Sequence, residues 1–464
     1  MNLGLLATRG LLLAGLASFV VSSNVQAKAI WYVDKAAAGN GSGTSWANAF
    51  KTVEAALAAS SATVDAQGNA DEIWVATATY YTPLVGGAIA PFAVVKPTKL
   101  YGGFAGGETS IQTRHGSFLN TILDGDYYQT PNTPNDDTLH VLNIAPGTGT
   151  MAVTIDGFRI QHSFAGGASV GGGGILSTNT NLTIANCFFR TNRAPTSANN
   201  GGGLYFTNGT LNVLNTEFKD NTGYHGGGIY ASSVTGEVVN TAFYENISTP
   251  DGAGVYLTNT GSGNQVNFTN CVFRANFASA NAVSYQGGGI CLADAGSSGT
   301  GASSKVVNCT FVDNLCNSGT DGQALSVSAF SQASIYNSIL YYNGSIFGPV
   351  GPISGSPTVN YTDVENGWFG AGSNNISGDP SFTNHLLGRL NLSSTSPCLD
   401  AADYSQVPLD NLDVDGDANT GEVLPVDFGF DTRLVDKGAV SDTGAGGHGC
   451  STCTYLDMGA YERP

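Results

Sequence analysis

Asn186-Cys187-Phe188-Phe189-Arg190-Thr191-Asn192 is the first clean copy of a pattern in which two asparagines flank a large apolar residue at equal spacing. The pattern returns as Asn215…Phe218…Asn221, Asn240…Phe243…Asn246, Asn270…Phe273…Asn276, Asn308…Phe311…Asn314 and Asn337…Leu340…Asn343. Asn360 to Asn366 keeps both asparagines and loses the apolar centre, while Asp124 and Asp156-Gly157-Phe158 look like degenerate earlier copies. A glycine block alternates with it: Gly172 to Ile175, Gly201 to Leu204, Gly226 to Ile229 and Gly287 to Ile290. Gly252 to Val255 and Gly322 to Leu325 are looser copies. The aliphatic residues closing these blocks lie 29, 25, 26, 35 and 35 residues apart. A period of that length signals a solenoid.

Each period holds short apolar runs such as Leu182-Thr183-Ile184 and Leu211-Asn212-Val213, with no helical spacing. Alternation sends the residue after the first asparagine and the phenylalanine two further on to the same face. One coil therefore reads as a strand after the glycines, a variable turn, a second strand, an asparagine corner and a third strand. The fold class this predicts is all-β, a right-handed parallel β-helix. A one-residue corner needs a positive φ, which asparagine tolerates better than most residues. Stacked coils lie about 4.8 Å apart, a spacing at which like amides can bond along the stack. Asn186, Asn215, Asn240, Asn270, Asn308 and Asn337 are accordingly expected to form an asparagine ladder, with the phenylalanines stacked inside. Cys187, Thr216, Thr241, Cys271, Cys309 and Ser338 follow the corner as small inward residues, and packing is the reading given to the three cysteines.

An open solenoid end exposes its core and needs a cap. Ser45 to Ser60 predicts an amphipathic helix, with Trp46, Phe50, Val53 and Leu57 on one face and Ser45 as its N-cap. Residues 28–120 are assigned to the N-terminal cap and first coils, 121–366 to the repeat core, and 367–464 to an irregular C-terminal cap. Residues 1–27 read as a signal peptide: Arg9, then the apolar run Leu11 to Val21, then Val25-Gln26-Ala27 as cleavage site. The run is too short to span a membrane comfortably, so export is expected, with no transmembrane segment after cleavage.

Charged residues are 11% of the chain, hydrophobic residues 41%, and glycine 63 of 464. The outer surface must therefore be built from Asn, Ser, Thr and Gly rather than ion pairs. The net charge of −18, without a basic cluster, repels phosphate backbones and argues against nucleic acid as a partner. The chain is expected to be a monomer.

The GGGIY…NCxFxxN run resembles the repeats of polymorphic outer membrane proteins and the wider set of bacterial right-handed parallel β-helix proteins. Trp31-Tyr32-Val33-Asp34, Ser45-Trp46-Ala47-Asn48, Asp71-Glu72-Ile73-Trp74 and Lys99 to Phe104 look like the opening segment common among them. Ser396-Pro397-Cys398-Leu399-Asp400-Ala401 and Asp457-Met458-Gly459-Ala460-Tyr461-Glu462 resemble the choice-of-anchor Q C-terminal domain. The resemblance covers nearly all the chain after residue 27 and implies a secreted, extracellular or cell-surface protein. Only Arg463 and Pro464 follow the final motif, so release or non-covalent attachment is expected in place of a sorting tail.

Two functional classes remain open at this level. One is a non-catalytic adhesive protein binding an extracellular polysaccharide or cell-surface glycan, which is the preferred reading. The other is a polysaccharide lyase or glycoside hydrolase of the pectate-lyase-like β-helix type. For the first, Tyr205, Tyr230 and Tyr256 occupy equivalent outward positions and predict a ligand-binding stripe, since aromatic rings with a hydroxyl suit sugars. For the second, Gly171, Asn200, His225, Asp251, Gln286 and Asp321 share one polar column, of which His225, Asp251 and Asp321 are the catalytic candidates. Arg190, Lys219 and Arg274 form another column beside Asp220, Glu245 and Asp313, read as a solvated turn with weak ion pairs. No Ser-His-Asp order, P-loop, dinucleotide fingerprint or HExxH is present. Asp413, Asp415, Asp417 and Asn419 place oxygens at alternate positions around Gly416 and make calcium the candidate cofactor. His448, Cys450 and Cys453 leave zinc or a local disulfide open, with the disulfide preferred for an exported chain.

Overall fold

The computed structural model describes residues 29–60, 69–114, 118–130, 133, 136–167, 171–258, 265–279, 287–294, 301–317, 322–345, 351–433, 443–445 and 456–463. The segment read as a signal peptide, Asp321, and the His448, Cys450 and Cys453 group lie outside the described residues. Successive coils pair in parallel, one-to-one register: Ile175 with Leu204, Leu204 with Ile229, and Ile229 with Val255. Among the described residues these pairings build sheets of 17 and 15 strands. The chain is a right-handed parallel β-helix, the hand that parallel crossovers favour.

One coil shows how sequence makes the turns. The strand Leu204–Leu214 bends at Asn208 (φ 61°), so it supplies two walls of the coil. Asn215 (φ 49°) turns the chain into Glu217–Lys219, and Asp220 (φ 56°) turns it again. All six corner asparagines have φ between 49° and 54°. The glycine block then re-enters the first wall. Its first residue has positive φ, as at Gly226 (67°). Its third has no room for a side chain: a Cβ on Gly228 would stand 2.5 Å from the Gly254 carbonyl and 3.0 Å from the Phe243 ring.

The interior is one continuous apolar column running from Val33 to Val364. Phe189, Phe218, Phe243, Phe273 and Phe311 stack with centroids 4.5, 5.2, 4.7 and 4.6 Å apart and planes within 10°. Such ring pairs contribute about 0.5–1.5 kcal/mol each beyond their burial. Cys187, Cys271 and Cys309 are buried free thiols; each donates to the carbonyl two residues before it.

The amide ladder is present, but it runs mainly through the second asparagine of each repeat, not the first. Asn192, Asn221, Asn246, Asn276, Asn314 and Asn343 are linked Nδ2 to Oδ1 at 3.1, 3.1, 3.0, 2.9 and 2.9 Å. Each accepting oxygen also takes the backbone N–H of the asparagine before it, at 3.1–3.2 Å. Each amide further donates to a carbonyl of the preceding coil, as Asn246 does to Phe218 at 2.8 Å. In the first column one link joins two asparagines, Asn240 to Asn215 at 3.2 Å, and Asn186 donates to Asp156 at 3.0 Å. Asn270 and Asn337 instead donate to carbonyls of Val426 and Asp403, at 2.7 and 2.9 Å. Among the described residues neither amide atom of Asn308 has a hydrogen-bond partner. The difference is one of surroundings: the second column lies wholly inside the coil, whereas the first lies beneath C-terminal chain.

Both ends depart from the sequence expectation. The single helix expected over 45–60 is divided into a 3-10 turn, Trp46–Asn48, and a helix, Val53–Ala59. Phe50 breaks it because its backbone pairs with the first strand, donating to Tyr32 and accepting from Asp34 at 2.8 Å each. Ser45 caps the turn, and the helix buries Val53, Ala56 and Leu57. At the other end, residues 367–376 close the stack, with Trp368 against the core and Ile376 bridged to Asp363. The chain beyond is a lateral flap rather than an end cap. It runs back along the outer side, where Gly459 donates to Asn337, Ala460 to Thr310, and Asn270 to Val426. Outward Val239, Val272 and Ile339 are buried by this flap, under Leu399, Leu424, Leu456 and Ala460.

The flap is fastened by a buried ionic knot. Arg433 has no exposed surface, donates to the carbonyls of Gly459 and Ala460, and lies 3.8 Å from Glu462. Asp427 takes the Glu462 N–H at 2.6 Å, and Asp457 takes those of Asp400 and Arg463 at 2.9 Å each. The terminal motif residues that carried the family resemblance are thus positions of this knot.

Candidate functional site

The tyrosine column is built by strand alternation. Leu204 and Phe206, Ile229 and Ala231, and Val255 and Leu257 point inward and are buried, so Tyr205, Tyr230 and Tyr256 between them face out. Register places Tyr205 beside Tyr230 and Tyr230 beside Tyr256. Their rings lie 5.0 and 5.6 Å apart with planes within 10°. The faces of Tyr230 are thereby covered by its neighbours, and the stripe presents ring edges and hydroxyls. Burial pushes all three phenols up, Tyr230 to about 12, so they are neutral donors at physiological pH. The column continues as Cys291, Ser326 and Ser354, with Ser354 donating to Ser326 at 3.0 Å.

His225 and Asp251 sit at the stripe's edge. The imidazole packs on Tyr256 at 4.4 Å, and its Nδ1 lies 3.7 Å from an Asp251 oxygen. Burial lowers the His225 pKa to about 4, so the ring is neutral at pH 7 and this approach is not then an ion pair. The structure brings these two together; the third candidate, Asp321, lies outside the described residues.

In the acidic loop, the carboxylates of Asp413, Asp415 and Asp417 can each bring an oxygen within 4.8 Å of the others. Asp410, Asp415 and Glu422 do the same, so Asp415 belongs to both groups. The loop is shaped by its own side chains: Asp413 takes the Ala418 N–H at 2.9 Å and Asp417 that of Asn419 at 2.7 Å. Asn419 turns its oxygen to the Gly421 N–H at 3.4 Å. Desolvation, then Asp417, Asp415, Asp410 and Asp413, raises the Glu422 carboxyl. The sequence reading carried the oxygen-ligand run from Asp413 to Glu422 and did not name Asp410. Asp410 lies before that run, and the loop's closure brings it in.

The charged column on the third strand forms three cross-coil pairs: Arg190 with Asp220 at 3.7 Å, Lys219 with Glu245 at 3.2 Å, and Arg274 with Asp313 at 3.8 Å. Glu217, one position before the phenylalanine, was passed over in the sequence because that column is mixed. Burial raises its carboxyl above the ordinary range.

Residues 143–311 match the family described as "Right handed beta helix region". No curated protein matches the chain. Among solved structures it is similar to one described as "Crystal structure of pectate lyase Pel9A", at 12% identity and a TM-score of 0.42, over 95% of this chain and 98% of that one. No helix among the described residues is long and apolar enough to cross a membrane. Register and family match agree that this chain is a right-handed parallel β-helix protein.

Proposed function

We propose that this chain is an exported, surface-associated β-helix that binds an extracellular glycan along the Tyr205, Tyr230 and Tyr256 face without cleaving it. The observation carrying the reading is the tyrosine column itself. Three hydroxyls at the coil repeat, on rings locked by mutual stacking, form a rigid row of donors and acceptors that loses little side-chain entropy on binding a polymer. The terminal motifs resembling choice-of-anchor Q domains and the polymorphic outer membrane protein-type repeats fit display at a cell surface. Calcium fits the Asp413, Asp415 and Asp417 loop, where hard oxygen ligands converge, and there it would brace the flap. The reading is tested on a glycan array run with a parallel assay for new reducing or unsaturated ends. Retention without end formation supports it, and loss of retention in the triple tyrosine variant locates it.

A polysaccharide lyase or hydrolase is the second reading, favoured by a titratable pair, His225 and Asp251, at the edge of the same face. Release of ends by the wild type, abolished by Asp251→Asn, would establish it in place of the first.

A further inference from the structure

A cavity of about 560 Å³ opens between the third strands and the flap, on a different side of the coil from the tyrosine face. Its size falls within the usual range for small-molecule sites. One wall carries Phe188 and Leu119; the facing wall is the flap turn that holds Phe428 and Phe430. That turn is rigidly made. Asp427, with no exposed surface, takes the N–H groups of Gly429 and Asp431 at 2.7 and 2.9 Å. Phe430 is held at φ 64°, a backbone region a bulky residue rarely adopts, and still leaves 54% of its surface exposed at the cavity.

The floor is polar. Asn240 lies at its base, its amide bonded to Asn215 at 3.2 Å. Arg190, Glu217 and Lys219 complete the lining. Both cations are already faced by carboxylates of the next coil, Asp220 and Glu245. The wall is therefore not electropositive, and Glu217 adds a further acid. A strongly anionic ligand gains nothing here.

We propose that this cavity is a second carbohydrate site, separate from the tyrosine face, that takes a neutral saccharide. Phe188, Phe428 and Phe430 meet the C–H faces of the sugar. The Glu217 carboxyl accepts from its hydroxyls, and Arg190 and Lys219 donate to its oxygens. Apolar walls with interleaved donors and acceptors match a pyranose ring better than an ion or a purely apolar ligand.

The test is calorimetric titration of the full chain with cellohexaose, xylohexaose, mannohexaose and galactohexaose, and with oligogalacturonate as the charged comparison. Phe430→Ala, whose side chain is largely exposed, and the near-isosteric Glu217→Gln keep the fold within reach, which circular dichroism checks. Binding of at least one neutral hexasaccharide, weakened ten-fold or more by Phe430→Ala and at least three-fold by Glu217→Gln, supports the site. The Tyr205, Tyr230 and Tyr256 triple alanine variant should leave that binding unchanged, which separates this cavity from the tyrosine face. The proposal is overturned by an absence of binding across the neutral panel, by tighter binding of oligogalacturonate, or by binding that survives Phe430→Ala and disappears with the tyrosines.

Discussion

The side-chain amide of Asn221 donates to Oδ1 of Asn246 at 3.1 Å, and the backbone N–H of Asn221 donates to that same oxygen at 3.2 Å. One asparagine side chain thus satisfies two donors of the coil before it, and its own amide reaches Phe218 and Asn276. Asn246→Ala strands all these groups in a dry interior, where each unsatisfied group costs about 1–3 kcal/mol. A loss of roughly 3 kcal/mol or more is expected in urea unfolding. Asn240→Ala breaks one amide link to Asn215 and places alanine at φ 51°, costing about 1–3 kcal/mol. Equal losses at the two positions would show that the second column is not the main ladder.

The tyrosine face is tested by the triple variant Tyr205→Ala, Tyr230→Ala and Tyr256→Ala. The inward residues of the same strands stay in place, so the coil should remain folded with a lowered Tm. Retention on the array ligand should fall at least ten-fold. Unchanged retention would remove the stripe from the glycan reading.

For the acidic loop, added calcium should raise the Tm of the flap, and chelator should reverse it, because a ligand that binds only the folded state stabilises it by mass action. Asp415→Asn, at the position shared by both carboxylate groups, should abolish most of that response. A Tm indifferent to both calcium and chelator would leave the loop as an acidic turn.

Stability should rise as pH falls from 8 to about 5.5. Burial raises the folded-state pKa of Asp363 to about 7 and of Asp457 to about 6. The unfolded chain keeps carboxyl values near 4. The native state therefore holds more protons through this window, and the stability it gains below pH 4 is lost as pH rises through 6 and 7. His225 acts oppositely. Its folded pKa of about 4, below the ordinary value of 6.5, removes stability as pH falls through that range. Asp363→Asn should raise stability at pH 8 by about 1–4 kcal/mol and flatten the profile. A Tm that falls steadily from pH 8 to 5.5 would contradict the burial argument.

The described thiols should resist Ellman's reagent in the native state. Cys187, Cys271, Cys291, Cys309, Cys316 and Cys398 are all buried, and burial pushes Cys187 up to about 12, far from the reactive thiolate. Full reactivity is expected only in denaturant. Rapid native labelling of any of these six, located by mass spectrometry, would show that the coils open locally.

The sequence by itself determined the coil. Its period, the inward phenylalanines, the positive-φ asparagine corners and the outward tyrosines are all properties of one repeat, dictated by alternation and by which residues tolerate φ > 0. Stacking adds only copies of the same environment, so a local pattern was enough. The ladder was another matter. Asn240 and Asn246 both recur in every clean repeat, and spacing alone cannot say which lies inside the coil and which beneath another segment. Only the tertiary structure decided that, because the flap from residue 377 onward returns along the outer side and offers the carbonyls of Val426 and Asp403 to Asn270 and Asn337. The same folding back joins Arg433 to Glu462, brings Asp410 towards Asp415, and sets Phe430 opposite Phe188 across a cavity. Those pairs are far apart in sequence or outside any repeat, so no periodicity records them; they exist because an apolar outer stripe containing Val239, Val272 and Ile339 had to be covered.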